Sequence, residues 1–243
     1  MSEIYLSVII PAYNEEKRLP KTLREVDGYL RKQNYNSEII VVSDGSTDRT
    51  CEIVEGLKNE IKNLKLICEK INQGKGYAVR IGMLKAKGEF RLFTDADNST
   101  PIEQIEKMWP YFEEGYEIVI GSRDIKGAIL DPPQNLFRRF VGEVFKYLRK
   151  IIVNLWEIED SQCGFKCFKG EAAEKIFPKC KINRFAFDPE ILLVGKKLGY
   201  KIKEVPVYWK NDPNSKVRLK SMVKMLLDLL KIRWNLIKNE YKK

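Results

Sequence analysis

The chain has 243 residues, 44% of them hydrophobic, enough for one large α/β domain or two small ones with an ordinary core, which excludes disorder as a whole-chain description. Its 44 Lys and Arg against 34 Asp and Glu give a formal charge of +10 and raise anionic partners: nucleic acid, phosphorylated substrates or an anionic membrane surface. Histidine is absent, which removes His-based triads, His metal ligands and imidazole bases and leaves carboxylates, lysines or a metal to carry any catalysis.

Strand-like and helix-like segments alternate from the start. Leu6 to Ile10 reads as a buried strand, Glu16 to Lys32 as a helix, Glu38 to Ser43 as a second strand and Thr47 to Lys62 as a second helix. The rhythm continues with a strand at Leu64 to Cys68, a helix at Gly76 to Lys87, a strand at Phe90 to Thr94, a helix begun near Pro101 and a strand at Tyr116 to Ile120. This pattern predicts an α/β fold with a mostly parallel sheet covered by helices on both faces, and ligands at the carboxyl ends of its strands. Gln134 to Trp156 then reads as an amphipathic helix with a polar stripe at Arg138/Arg139, Glu143, Lys146, Arg149/Lys150 and Asn154. Short strands near Gly164–Phe168 and Ile202–Trp209 and a helix near Pro189 to Leu198 follow. Lys216 to Lys243 closes the chain as a second basic helix, polar at Lys220, Lys224, Asp228, Lys231, Asn235 and Lys238.

The basicity belongs to these two helices. Residues 134–156 hold 5 basic side chains and 1 acidic one, and residues 216–243 hold 9 and 2, which leaves the rest near neutral. Wide apolar faces bordered by Lys and Arg suit an in-plane helix on anionic lipid, whereas nucleic acid calls for a polar groove dotted with aromatics. A membrane surface is therefore expected as a partner and nucleic acid is not; packing of both helices on the domain with solvated charges opposite is the competing reading. Neither helix has the ~20 apolar residues of a membrane span. The N-terminal stretch up to Pro11 is too short and too acidic for a signal peptide or a span. Five scattered cysteines (Cys51, Cys68, Cys163, Cys167, Cys180) without a CxxC pair read as packing thiols in a reducing, cytosolic compartment.

The chemistry-bearing residues fall at the predicted strand ends. Asp95-Ala96-Asp97 places two carboxylates where they can share Mg²⁺ or Mn²⁺ together with a diphosphate, though an exposed acidic turn has the same sequence. Pro11-Ala12-Tyr13-Asn14-Glu15 offers a ring and an acid for a nucleobase and ribose, or a helix start capped by Asn14. Ser43-Asp44-Gly45-Ser46-Thr47-Asp48 supplies a base-contacting carboxylate in Asp44 and a helix cap in Asp48 or Thr47, and Gly74-Lys75-Gly76 opens a helix whose free N–H groups favour anions.

These motifs, in this order and spacing, resemble the family 2 glycosyltransferases of the GT-A fold. Gly121-Ser122-Arg123, Asp160 to Lys166, Arg184 to Asp188 and Trp209 to Lys216 extend the likeness to the polyprenyl-phosphate sugar transferases, dolichyl-phosphate glucosyltransferases among them. The resemblance implies one GT-A domain over 1–243: a nucleotide-sugar half (1–124), an interface helix (125–156), an acceptor half (157–215) and a C-terminal basic helix (216–243). It implies that Pro11, Ala12, Tyr13, Glu15, Val42, Asp44, Lys75, Asp95, Ala96, Asp97 and Arg123 hold the nucleotide sugar, with Asp95 and Asp97 on the metal. Asp188 and Arg123 join the two metal-site acids as catalytic candidates, and Arg138, Gln162 and Lys216 as candidates for the acceptor phosphate. Ser43 stands where the family has a second acid, so the role of that acid is not carried over. Asn98-Ser99-Thr100 stands where mannosyl relatives carry Leu-Gln-His, so the likeness favours UDP-glucose over GDP-mannose as donor, with dolichyl or polyprenyl phosphate as acceptor at the cytosolic membrane face. A soluble acceptor remains the other alternative.

Overall fold

The computed structural model describes residues 3–133, 136–210 and 219–242, without the side chains of 136–141 and 219–222. Nine strands and their helices follow in chain order: β1 (Leu6–Ala12), α1 (Leu19–Leu30), β2 (Ser37–Asp44), α2 (Thr50–Leu57), β3 (Leu64–Glu69), α3 (Lys75–Lys85), β4 (Phe90–Thr94), α4 (Trp109–Glu113), β5 (Ile118–Ser122), β6 (Ile129–Asp131), α5 (Leu136–Val153), β7 (Phe165–Lys169), α6 (Gly170–Ile176), α7 (Phe187–Lys197), β8 (Ile202–Pro206), β9 (Tyr208–Lys210) and α8 (Leu219–Ile237). The main sheet runs β3-β2-β1-β4-β7-β5-β8. Only β7 is antiparallel to its neighbours, β4 and β5. Strand order reverses between β1 and β4, the crevice where α/β sheets place ligands.

Alternating side chains of the central strands fill two cores. Val8, Ile10, Ile39 and Val41 face α1, α2 and α4, and Ile9, Ile40 and Val42 face α3, α6 and α7. Such strands, apolar on both faces, belong inside a parallel sheet. The first two helices start later than the periodicity suggests because motif residues occupy the turns, whereas α3 opens one residue and α7 two residues before the expected start. Asn14 is left-handed (φ 55°), and α1 waits until Leu19. Asp48 accepts the Thr50 N–H at 3.0 Å, so α2 opens there rather than at Thr47. Beyond Pro101 the chain makes a 3₁₀ segment at Ile102–Lys107 before α4, whose Pro110 cannot donate a backbone hydrogen bond.

Cys51 and Cys68 are bonded to each other, tying α2 to β3, so only Cys163, Cys167 and Cys180 are buried packing thiols and cysteine usage no longer argues for a reducing compartment. Arg149 and Lys150 of the α5 polar stripe are not solvated: Arg149 is buried and gives its guanidinium to the carbonyls of Leu155 (3.2 Å), Ile158 (2.8 Å) and Glu159 (3.2 Å), and Lys150 pairs with Glu159 at 2.5 Å. Those carbonyls lie in the segment beyond α5, where a buried acceptor needs a donor.

Among the described side chains, α5 and α8 each turn a row of apolar residues outward. Val144, Tyr147 and Ile151 are exposed on α5, and Trp156 just beyond it. On α8, Met225, Leu229, Ile232 and Asn235 face inward, against the expectation that Asn235 lies on the polar stripe. Val223, Leu227, Leu230, Trp234 and Ile237 form an exposed line at helical spacing, with Lys224, Lys231 and Lys238 along one flank. Among the described residues no helix is long and apolar enough to cross a membrane.

Candidate active site

Three strand ends and the first turn of α3 converge at the β1/β4 crevice. At the end of β1, Tyr13 projects, the Asn14 side chain accepts the Thr47 N–H at 2.8 Å, and the Glu15 N–H reaches Thr50 Oγ1 at 2.9 Å, stitching the first motif to the second. Arg18 grips the Glu15 carboxylate at 2.8 and 2.7 Å and lies 3.9 Å from Asp97 Oδ2. Arg18 thus belongs to the site although no sequence motif named it; it stands three residues after Glu15 and immediately before α1.

Asp44 closes β2 with both oxygens engaged: Oδ1 accepts the Gln73 N–H at 2.8 Å and Oδ2 the Gly74 N–H at 2.7 Å. It is buried, and the geometry makes it the anchor of the loop into α3. The Val42 side chain is fully buried in the core facing α3. Pro11, Ala12 and Ala96 are buried at the strand ends and shape the floor through backbone.

The anchored loop delivers Lys75, whose ammonium sits 2.5 Å from Asp95 Oδ1. Burial works against that charge, but Asp95, with help from Asp188 and Asp97, outweighs it and holds the Lys75 pKa above its ordinary value. Asp97 is instead driven toward its neutral form. Burial, then the neighbouring Asp95 carboxylate, raise its pKa, while the Ser99 N–H and Arg18 oppose. Two hard carboxylates that repel each other at a strand end are a donor set that a divalent cation would relieve, so the residues present fit Mg²⁺ or Mn²⁺. Among the described residues no third acidic or sulfur ligand joins them. Gly164 lies behind Asp95 and any Cβ there would fall 2.1 Å from Asp95 Oδ2, so glycine alone leaves the carboxylate its place.

Beneath this layer Asp188, in the first turn of α7, meets Lys166 of β7 at 2.5 Å, and the fully buried ammonium also lies 5.1 Å from the centre of the Phe93 ring. Burial raises the Asp188 pKa against the pull of Lys166 and Lys75. Its partner is therefore an internal cation. Arg123 gives Nε and Nη2 to Asp160 at 2.7 and 3.0 Å, adds its backbone N–H at 3.0 Å, and lies over Trp209 at 5.3 Å. Burial alone would raise the Asp160 pKa; Arg123 overcomes it and holds the carboxyl well below the usual range. The guanidinium expected on donor phosphates thus has a carboxylate partner on Nε and Nη2. Asp160 also takes the N–H groups of Gln162 (2.9 Å) and Cys163 (3.1 Å), and the Gln162 side chain is half-buried. The Arg138 side chain and Lys216 lie outside the described residues.

Residues 7–177 match the model of glycosyl transferase family 2. The chain belongs to that family. A dolichyl-phosphate beta-glucosyltransferase of Trichomonas vaginalis is 37% identical over 241 residues, covering 95% of this chain and 73% of the relative. One from Dictyostelium discoideum is 36% identical over 249 residues, covering 96% and 75%. Among solved structures, glucosyl-3-phosphoglycerate synthase from Mycobacterium tuberculosis in complex with Mn²⁺, uridine diphosphate and glucosyl-3-phosphoglycerate superimposes with a TM-score of 0.63 at 17% identity, over 94% of this chain and 78% of that one. The family 2 transferase therefore has the GT-A fold expected of it, with its acidic pair at the switch point of the sheet.

Proposed function

We propose that this family 2 transferase moves glucose from UDP-glucose to a dolichyl or polyprenyl phosphate at the cytosolic face of a membrane. The observation that carries the reading is the Lys75, Asp95 and Asp97 cluster at the β1/β4 crevice, in a chain more than a third identical to dolichyl-phosphate glucosyltransferases over nearly its whole length.

Asp95 and Asp97 would hold Mg²⁺ or Mn²⁺, which supplies charge neutralisation to the departing nucleoside diphosphate. Lys75, now paired with Asp95, stands at the N-terminus of α3 where a diphosphate would find both an ammonium and free N–H groups. Tyr13, exposed above the β1 end, is placed to meet the base. The acceptor needs no strong base: a phosphate monoester has a second pKa of about 6 and is already mostly dianionic near neutral pH. A chain without histidine suits this chemistry, since catalysis reduces to orienting the acceptor oxygen and meeting the charge that develops on the leaving group. Direct attack inverts the anomeric centre and gives a β-linked product.

The acceptor is a lipid, and the outward apolar line of α8 with its lysine flank supports a bilayer surface as the partner. Presenting UDP-glucose and GDP-mannose separately, with Mn²⁺ and vesicles containing dolichyl phosphate, tests the reading. Organic-extractable sugar from UDP-glucose supports it; sugar from GDP-mannose alone would move the enzyme to the mannosyl branch, and no lipid product from either donor would overturn it.

A further inference from the structure

Glu190 is a wholly buried carboxylate in the first turn of α7 that takes no part in the chemistry above. It accepts the backbone N–H groups of Lys181 at 2.9 Å and Ile182 at 2.8 Å. Its third partner comes from the far end of the chain: the Tyr241 hydroxyl donates to it at 2.6 Å, and Asn235 of α8 donates to that hydroxyl at 3.2 Å. Tyr241 is fully buried.

The segment that Glu190 holds is the seat of α3. The Asn183 carbonyl accepts the Tyr77 N–H at 3.0 Å, one of the first-turn donors a helix cannot satisfy internally. Arg80 gives Nη1 to the Cys180 carbonyl at 3.0 Å and Nη2 to Asn183 Oδ1 at 2.9 Å. Contact is close enough to require glycine on the α3 side. Gly74 has φ 117°, and a Cβ on it would fall 2.5 Å from the Asn183 oxygen. A Cβ on Gly76 would fall 2.5 Å from Phe187 Cβ. Between these two glycines stands Lys75.

We infer that Tyr241 and Glu190 are positioning residues for the donor site: the C-terminal tail latches the 181–183 segment, and that segment sets the first turn of α3 and the ammonium of Lys75. The inference rests on the proposed function for the role of Lys75 in donor binding. A hydroxyl is the whole of the latch, because phenylalanine fills the same volume and cannot hold Glu190. It also joins α8, the helix with the outward apolar line, to the rim of the donor site through one buried carboxylate.

The test uses the full chain carrying Tyr241→Phe and, separately, Glu190→Gln, whose amide nitrogen cannot accept one of the two N–H groups. Amide hydrogen exchange at Tyr77, UDP affinity by titration, and the split between KM and kcat for UDP-glucose are read together. Loss of the latch in either variant is expected to quicken Tyr77 exchange and to raise the donor KM and the UDP Kd by about fivefold to tenfold, with kcat within about twofold. A lower melting temperature with unchanged Tyr77 exchange and unchanged donor KM would overturn it and leave Tyr241 a packing residue. If the wild type neither binds UDP nor transfers sugar, the proposed function fails instead, and Tyr77 exchange still decides the latch.

Discussion

Replacing Asp160 by asparagine isolates the most heavily bonded carboxylate near the site. Asp160 is 4% exposed and receives the Arg123 backbone N–H, two guanidinium N–H groups and the N–H groups of Gln162 and Cys163. The change keeps the volume and removes the charge, leaving the Arg123 guanidinium mostly buried without its counter-ion. Breaking a buried pair from one side costs about 3 to 5 kcal/mol, a large part of the roughly 5 to 15 kcal/mol that holds a domain together. The sign of the pH dependence follows from the depressed pKa of Asp160. Its stabilisation is complete above the unfolded carboxylate pKa of about 3.9 and is lost as pH falls toward the folded value. Urea unfolding of both proteins at pH 7, 5 and 3.5 should therefore show the full gap at pH 7 and 5 and a smaller one at 3.5. A variant within about 1 kcal/mol of wild type at pH 7, or a gap that ignores pH, would refute the assignment of this pair as a structural anchor.

Asp97→Ala should abolish transfer and leave the far-UV circular dichroism and melting temperature close to wild type; wild-type turnover would place the metal elsewhere. Leu230→Glu with Trp234→Glu removes two members of the exposed α8 line. Burial of one such side chain is worth about 1.5 to 3 kcal/mol, so flotation with anionic vesicles should weaken at least about tenfold without loss of fold. Unchanged flotation would assign the bilayer contact to another face. Cys51→Ser opens a bridge that closes 17 residues of sequence, and the chain-entropy relation puts its contribution at about 3 kcal/mol, read as a lower urea midpoint. An equal midpoint with and without the bridge would contradict that.

Runs such as Leu6–Ile10 and Phe90–Thr94 announced the sheet because parallel strands buried on both faces must be continuously apolar, and β4 came out with the bounds expected of it. The acidic pair and Lys75 were legible because strand ends are where such sheets put ligands. Arg149 and Lys150 were not: periodicity marks a residue as polar, but cannot tell a solvated cation from one capping carbonyls several residues on. Asp44 shows the same limit at one residue, since a carboxylate that anchors a loop and one that binds a base have the same letter in the same motif. Cys51 and Cys68 sit 17 residues apart, and only the packing of α2 on β3 brings them together. Arg18 and Tyr241 act across 79 and 51 residues of sequence, toward Asp97 and Glu190, distances over which a single sequence carries no pairing signal.

The central claim is that glucose passes from UDP-glucose to a lipid phosphate with inversion. The most direct measurement is the structure of the lipid product formed by wild-type enzyme from UDP-glucose and dolichyl phosphate in vesicles, by mass spectrometry and the proton coupling at the anomeric carbon. A hexosyl lipid phosphate with the β configuration, formed with Mg²⁺ or Mn²⁺ and suppressed by chelator, is the expected result. An α-linked product, a product formed equally well in chelator, or free glucose with no lipid adduct would contradict the account.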